Sequence, residues 1–354
     1  MYKAKEKKDS NKNGYKKYKV IPVMIILLIA IIIIATAVGA VYVPLLDTAK
    51  IIIKNLGIYN FTSISESQNS IIFLVRLPRV IVAVLVGAAL AVSGAVMQGM
   101  FRNPMADPGI LGVSSGAGLG AVTAIGLGLA SRSIYFMPLF ATIGALLAAW
   151  IVFILASSGK KIPVLTLILS GIAVSTFLGA ITSLILSKIS EYQVKEYLFW
   201  SVGGLSSRRW EHVNMVAIPI IICIILLISF ARDLNVLLLG EEEAQSVGLN
   251  PSKTRKQLLF LVSVTTAMAV SVSGSISFAG LIVPHIMRLI VGPDNRLLLP
   301  ASALAGAIFL VGCDIIARVV IMPAEIGVGI VTSLLGAPYF LYLLNKSRKE
   351  GVAI

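Results

Sequence analysis

Apolar runs bounded by charge, Pro or Gly recur along almost the whole chain. They predict helical spans near 21–43, 74–100, 109–130, 135–157, 163–187, 213–231, 257–277, 279–291, 298–320 and 327–345. A bilayer core about 30 Å thick needs roughly 20 apolar helical residues per crossing. The eighth run is short and follows Ser271-Val272-Ser273-Gly274-Ser275, a small polar stretch that predicts a broken or re-entrant segment covered by neighbouring helices. The period-2 alternation of a lipid-facing barrel strand is absent and Pro and Gly punctuate many runs, so the spans are read as helices. The expected fold is an all-α polytopic membrane domain over 21–345, flanked by basic tails at 1–20 and 346–354.

Within the second and third spans small residues recur every four positions: Ala83, Gly87, Ala91, Ala95 and Gly99, then Gly112, Gly116, Gly120, Ala124 and Gly128. Such stripes let helix backbones approach closely in lipid and predict a tight bundle. Composition agrees. Hydrophobic residues make up 57% and charged residues 13%, against about 45–50% and 25% in soluble domains, which excludes a water-soluble globule.

The net charge of +14 does not point to nucleic acid, because the basic residues lie between apolar spans and in one amino-terminal tail. With the amino terminus inside, 20 of the 30 Lys and Arg fall on one side: the tail, Arg102, Lys160, Lys161, Arg232, Lys253, Arg255, Lys256, Arg288, Arg296, Lys346, Arg348 and Lys349. Ten spans with both termini cytoplasmic satisfy the positive-inside rule, and loops on anionic lipid account for the charge. Ala35-Thr36-Ala37 imitates a signal-peptide cleavage site, but the apolar run before it exceeds the usual length, so it is read as the first span. Cys223 and Cys313 sit inside apolar runs and form no metal-ligand spacing with His212 and His285, which predicts buried thiols and no metal site.

Between the sixth and seventh spans, Gly240 precedes Glu241, Glu242 and Glu243, and Ala244-Gln245-Ser246-Val247 leads to Gly248. This is a short helix with acid at its positive end and Gly at its stop. Asn250-Pro251 has the order of a cap and first helical residue. Two short helices joined by a tight turn, over about 240–256, are therefore expected on the inner face. Such double capping points to a docking surface.

The chain resembles the FecCD-type permeases, which import ferric siderophores, haem and vitamin B12. The resemblance rests on Arg76-Leu77-Pro78-Arg79, on Gly87 to Gln98, on Asn103-Pro104-Met105-Ala106-Asp107-Pro108-Gly109-Ile110-Leu111-Gly112 and on Leu239-Gly240-Glu241. It continues through Gly280 to Arg288 with His285, Leu298-Leu299-Pro300, Asp314 with Arg318, and Gly336-Ala337-Pro338. The resemblance implies a type II ABC importer permease fold with about ten transmembrane helices and an inverted pseudo-repeat. Implied partners are a second permease subunit, identical or paralogous, two ATP-binding subunits, an extracytoplasmic substrate-binding protein and membrane lipid. The chain lacks a Gly-x-x-x-x-Gly-Lys-Ser/Thr loop. It is thus expected to be no enzyme and to bind no cofactor, with ATP and Mg used by the partner ATPase.

By the same resemblance, Arg76, Arg79 and Arg318 receive acids of the binding protein. Gly240, Glu241, Glu242, Glu243, Ala244 and Gly248 couple to the ATPase, and Asn103, Met105, Pro163 and Val164 form the inner gate. Reversing Arg76 and Arg79 is expected to weaken docking and leave assembly intact. Asp314 lies one turn before Arg318 and offers it an internal partner. The stretch Trp200-Ser201-Val202-Gly203-Gly204-Leu205 with Arg209-Trp210 is more like siderophore than cobalamin permeases, though the aromatics from Lys188 to Glu211 are explained by membrane anchoring alone. A haem or cobalamin permease of the same family is one alternative. Another is an ion-coupled secondary transporter, which needs central carboxylates that the spans lack apart from Asp314.

Overall fold

The computed structural model describes residues 19–39, 41, 43–55, 57–59, 61, 64–157 and 163–350. The basic tail through residue 18, the Lys160-Lys161 pair and residues 351–354 lie outside the described residues. The helices are α1 (Val20–Ala37), α2 (Leu45–Asn55), α3 (Glu66–Phe101, with a π-helical turn at Ile71–Arg76), α4 (Val113–Gly126), α5 (Phe136–Ala156), α6 (Val164–Leu186) and α7 (Glu191–Ser201). They continue with α8 (Trp210–Ser229), α9 (Ala231–Leu237), α10 (Glu241–Ser246), α11 (Pro251–Ser273), α12 (Ala279–Val291), α13 (Asn295–Val319) and α14 (Val328–Glu350). Seven, namely α1, α3, α5, α6, α8, α11 and α13, are long and apolar enough to cross a membrane, and α4, α12 and the apolar part of α14 are shorter. Each falls on one of the ten predicted runs.

The small-residue stripes become contact seams. A Cβ on Gly87 would lie 2.2 Å from the Gly306 carbonyl of α13, and one on Gly94 would lie 1.7 Å from the Gly280 carbonyl of α12. On the other side of the bundle, Gly116 of α4 meets Gly144 of α5 at 2.3 Å by the same measure, and Gly120 meets the Phe140 carbonyl at 2.0 Å. These crossings put backbone on backbone, which is how helices associate when lipid offers no hydrophobic gain. Helix α3 is consequently the centre of the bundle, 83% buried over its most apolar window, against 22% for α1 and for α6.

Two interruptions shape the interior. After α3 ends at Phe101 with Arg102 in the left-handed region, the chain turns back into the bundle through a 3-10 turn at Pro108–Leu111 before α4 begins. The third span therefore starts later than the expected 109, and Ile110 packs its carbonyl against Gly171 of α6. The second interruption is the predicted break: α11 stops at Ser273, residues 274–278 are non-helical, and α12 begins at Ala279 after Phe278 at φ 67°. Phe278 packs against Gly336 of α14, the counterpart of the Ile110–Gly171 contact.

The expectation of two short inner helices needs correction. Residues 241–246 do form one, but Pro251 opens a helix of 23 residues that continues through the membrane to Ser273. The second short helix is α9, before the Glu run rather than after it.

Candidate functional site

At the face where α1 ends, four arginines lie near one another, and two of them, Arg79 and Arg318, hold carboxylates. Arg79 donates from Nε to Asp314 Oδ1 at 3.0 Å and from Nη1 to both oxygens of Glu325 at 3.0 and 2.8 Å. Arg318 Nε pairs with Asp314 Oδ2 at 3.1 Å, so one fully buried carboxylate is shared by two guanidiniums. Arg318 Nη1 also donates to the Val38 carbonyl at 2.9 Å. Arg76, placed by the π-helical turn, donates to the carbonyls of Thr36, Ala37 and Val41. Two cations thus cap the negative end of α1, where the last carbonyls have no intrahelical partner. Arg208, half-buried in the loop before α8, donates toward His212 at 3.2 Å; burial and the nearby Arg79 charge pull its pKa down to about 10, so it stays protonated at neutral pH.

The three predicted docking arginines are therefore together, but buried, with 5–8% of their surface exposed. The possible Asp314–Arg318 pair is present, and Arg79 and Glu325 extend it. Arg76 and Arg79 both hold internal partners, so charge reversal is now expected to disturb these contacts as well as docking. Membrane anchoring also fails to explain all the aromatics of 188–211. Tyr192 is exposed, but Trp200 is buried and Trp210 donates its indole N–H to the Phe73 carbonyl at 2.9 Å.

On the basic face, α10 is built as its residues dictate. Gly240 has φ 144°, a region that favours glycine, and Gly248 at φ 84° ends the helix in a Schellman motif: Leu249 N–H donates to Ala244 at 3.0 Å and Gly248 N–H to Gln245 at 2.9 Å. The Asn250 side chain accepts from Lys253 N–H at 3.0 Å and caps α11. Ala244 is fully buried, Glu241 pairs with Arg255 of α11, and Glu242 and Glu243 remain exposed.

Sequence reasoning missed what holds this segment. Arg102, at the end of α3, donates to the Leu237 carbonyl at the end of α9 at 3.2 and 2.6 Å. Asn235 of α9 donates to Asp294 at 2.6 Å and accepts from the Asn295 backbone at 2.9 Å, reaching the start of α13. These residues lie about 60 or more positions apart, beyond any local pattern.

Of the predicted inner-gate residues, Asn103 forms an Asx turn with the Met105 N–H at 2.7 Å, and Pro163 caps α6 just before Val164. No hydrogen bond joins the two pairs among the described residues; the segments meet deeper, through Ile110 and Gly171. Between the two interruptions lies a cavity of about 340 Å³ lined in part by Asp107, Ser114, Thr266, Ser275 and Ser277. Asp107 was not among the expected interior carboxylates. It accepts from Gly109 N–H at 2.7 Å and faces Gly280 at the positive start of α12, which gives the carboxylate local partners. His285 stacks edge-on to Tyr339 at 6.3 Å, and the two cysteines are buried and free.

Known proteins resemble this chain over most of its length. Over 282 residues, 80% of this chain and 75% of the relative, it is 47% identical to the cobalamin import system permease protein BtuC of Halobacterium salinarum. It is 41% identical to the hemin transport system permease protein HmuU of Yersinia pestis over 82% of this chain and 87% of that one. It is 39% identical to the Fe(3+)-citrate import system permease protein YfmD of Bacillus subtilis over 88% and 90%. A solved ABC transporter described as of metal-chelate type, in an inward-facing conformation, superposes with a TM-score of 0.81 at 33% identity, covering 93% of this chain and 99% of that one. The model of the FecCD transport family matches residues 27–346. A family match across nearly the whole chain and relatives of this similarity show that the chain belongs to the FecCD transport family and is a multi-pass ABC importer permease.

Proposed function

We propose that this chain is the permease half of an ATP-driven importer that takes up ferric-siderophore complexes by alternating access. It would sit in the cytoplasmic membrane with both termini inside and pair with a second permease subunit. Two separate ATP-binding subunits hydrolyse ATP, and an extracytoplasmic binding protein delivers the cargo. The observation that carries the mechanism is the tie from α9, which precedes α10, into two spans. Displacement of α10 and α9 is passed through Arg102 to the end of α3, beside Asn103, and through Asn235 to Asn295 at the start of α13. Hydrogen bonds to rigid helix ends transmit a push without deforming the bundle.

Relatives named for cobalamin, hemin and Fe(3+)-citrate support a chelated metal as cargo. The Trp200–Leu205 and Arg209-Trp210 stretch favours a siderophore, while the 47% identity to a cobalamin permease favours cobalamin as the second reading. Proteoliposomes containing the permease, its ATPase and its binding protein decide the matter. ATP-dependent uptake of a ferric hydroxamate or catecholate, not displaced by excess haem or cobalamin, is expected. Displacement by cobalamin or haem selects the second reading, and uptake without the ATPase subunit selects a secondary transporter.

Glu325 bears on docking. Its carboxylate, on an exposed side chain, occupies Arg79 Nη1 at 2.8 Å, the position an incoming acid would take. Glu325→Gln is expected to tighten binding-protein docking about threefold to tenfold, or about 0.7–1.4 kcal/mol, read by surface plasmon resonance on permease in nanodiscs. Unchanged or weaker docking would count against Arg79 as a receiver.

A further inference from the structure

A groove of about 470 Å³ runs along the bundle surface between α5 and α11, floored by the buried Leu111 and Leu167. Its walls are apolar. Trp150 and Phe260 stand at its rim, 61% and 66% exposed, and Lys256 is the single charged residue lining it among the described residues. Lys256 is exposed on α11 near the basic face, with Nζ 6.0 Å from the centroid of the Phe153 ring. Lys253, also exposed, stands one turn nearer that face.

Depth and charge together specify what fits. From Phe153 to Ile143 the α5 wall extends about 15 Å along the helix axis, half of a hydrocarbon core about 30 Å thick. The groove thus spans one leaflet, with its cation at the headgroup level and no charge below. Bulk lipid would cover an apolar face of any shape, but a leaflet-length groove ending in two lysines adds a preference for negative charge at that end. We propose that this groove is a binding site for an anionic glycerophospholipid of the leaflet on the basic face, one acyl chain lying against Trp150 and Phe260 and the phosphate meeting Lys256 and Lys253.

Trp150 supplies the test. The full chain is placed in nanodiscs of zwitterionic phospholipid containing increasing fractions of chain-brominated phosphatidylglycerol or phosphatidylcholine, and the Trp150 emission is obtained as the difference from Trp150→Phe. Half-maximal quenching by the brominated anionic lipid is expected at a mole fraction at least about threefold below that of the zwitterionic lipid, a ratio equivalent to about 0.7 kcal/mol. Lys253→Gln/Lys256→Gln should bring the two curves together while leaving quenching by phosphatidylcholine unchanged. Equal quenching by both lipids in the unaltered chain overturns the proposal, as does a headgroup preference that survives the double substitution. Absence of quenching by either lipid also overturns it, because protein would then cover the groove.

Discussion

Asp314→Asn is expected to cost about 3–5 kcal/mol of stability, the range for breaking a buried ion pair by removing one partner. The carboxylate is completely buried and holds Arg79 at 2.9 Å and Arg318 at 3.1 Å. With an amide in its place, two guanidiniums remain in a low-dielectric setting with, among the described residues, only Glu325 paired to one of them. The charge left behind dominates the outcome, so the double substitution Asp314→Leu/Arg318→Met should recover part of the loss. Monodisperse protein remaining after stepwise heating in detergent, followed by size-exclusion fluorescence, reads both effects. A melting temperature for Asp314→Asn within error of the unaltered chain would show that Arg79 and Arg318 do not depend on this anion.

The second large effect is expected at Gly94. An added methyl would stand 1.7 Å from the Gly280 carbonyl oxygen and 2.7 Å from its Cα, atoms that no side-chain rotation can clear. Gly94→Ala must then push α12 away from α3, and overpacking of this kind costs about 1–3 kcal/mol or more. Because α12 begins beside the interior cavity, the displacement would also move Phe278 and the break before it. Transport should fall more steeply than folded yield. Gly99→Ala is the control, since a Cβ there has no neighbour closer than 3.6 Å and should be nearly silent in both assays. Equal behaviour of the two variants would argue against the α3–α12 crossing.

What the sequence disclosed and what it hid follow from the range of the interactions. Each apolar run carries its own evidence in consecutive residues, which is why all ten reappear as helices. The caps at Gly248 and Asn250 were legible for the same reason. Hydropathy places the start of α11 at 257 because Lys253, Thr254, Arg255 and Lys256 lower it locally, although the chain is helical from Pro251 onward. The start of α3 was hidden likewise by Glu66-Ser67-Gln68-Asn69-Ser70. Helix α2 escaped because its apolar residues are interrupted by Asp47, Thr48 and Lys50 instead of forming a continuous run, and it turns Thr48 and Ile51 inward.

At the candidate sites the division is sharper. Asp314 and Arg318 are one turn apart and could be paired by spacing alone. Arg79 finds Glu325 across 246 positions, and Arg102 finds the Leu237 carbonyl across 135, where periodicity carries no information. A resemblance can place a motif at the edge of a span, but it does not say whether its charge is already spoken for. The inward return of Asp107 was equally hidden, since Pro108-Gly109 reads as an ordinary turn until Gly280 and Leu90 are seen beside it.

The capping of α1 also bears on the order in which the protein can be completed. Its final carbonyls are held by Arg76 and by Arg318, and the latter lies 280 positions beyond Val38. At about 5–20 residues per second of synthesis, the first helix waits at least about 14 s for its second cap. Throughout that interval the Val38 carbonyl must rely on water or headgroups at the membrane surface, while Arg76 already holds Thr36 and Ala37. The arginine that closes the cluster is therefore made long after the helix it caps, so α1 is in place well before it is fully fastened.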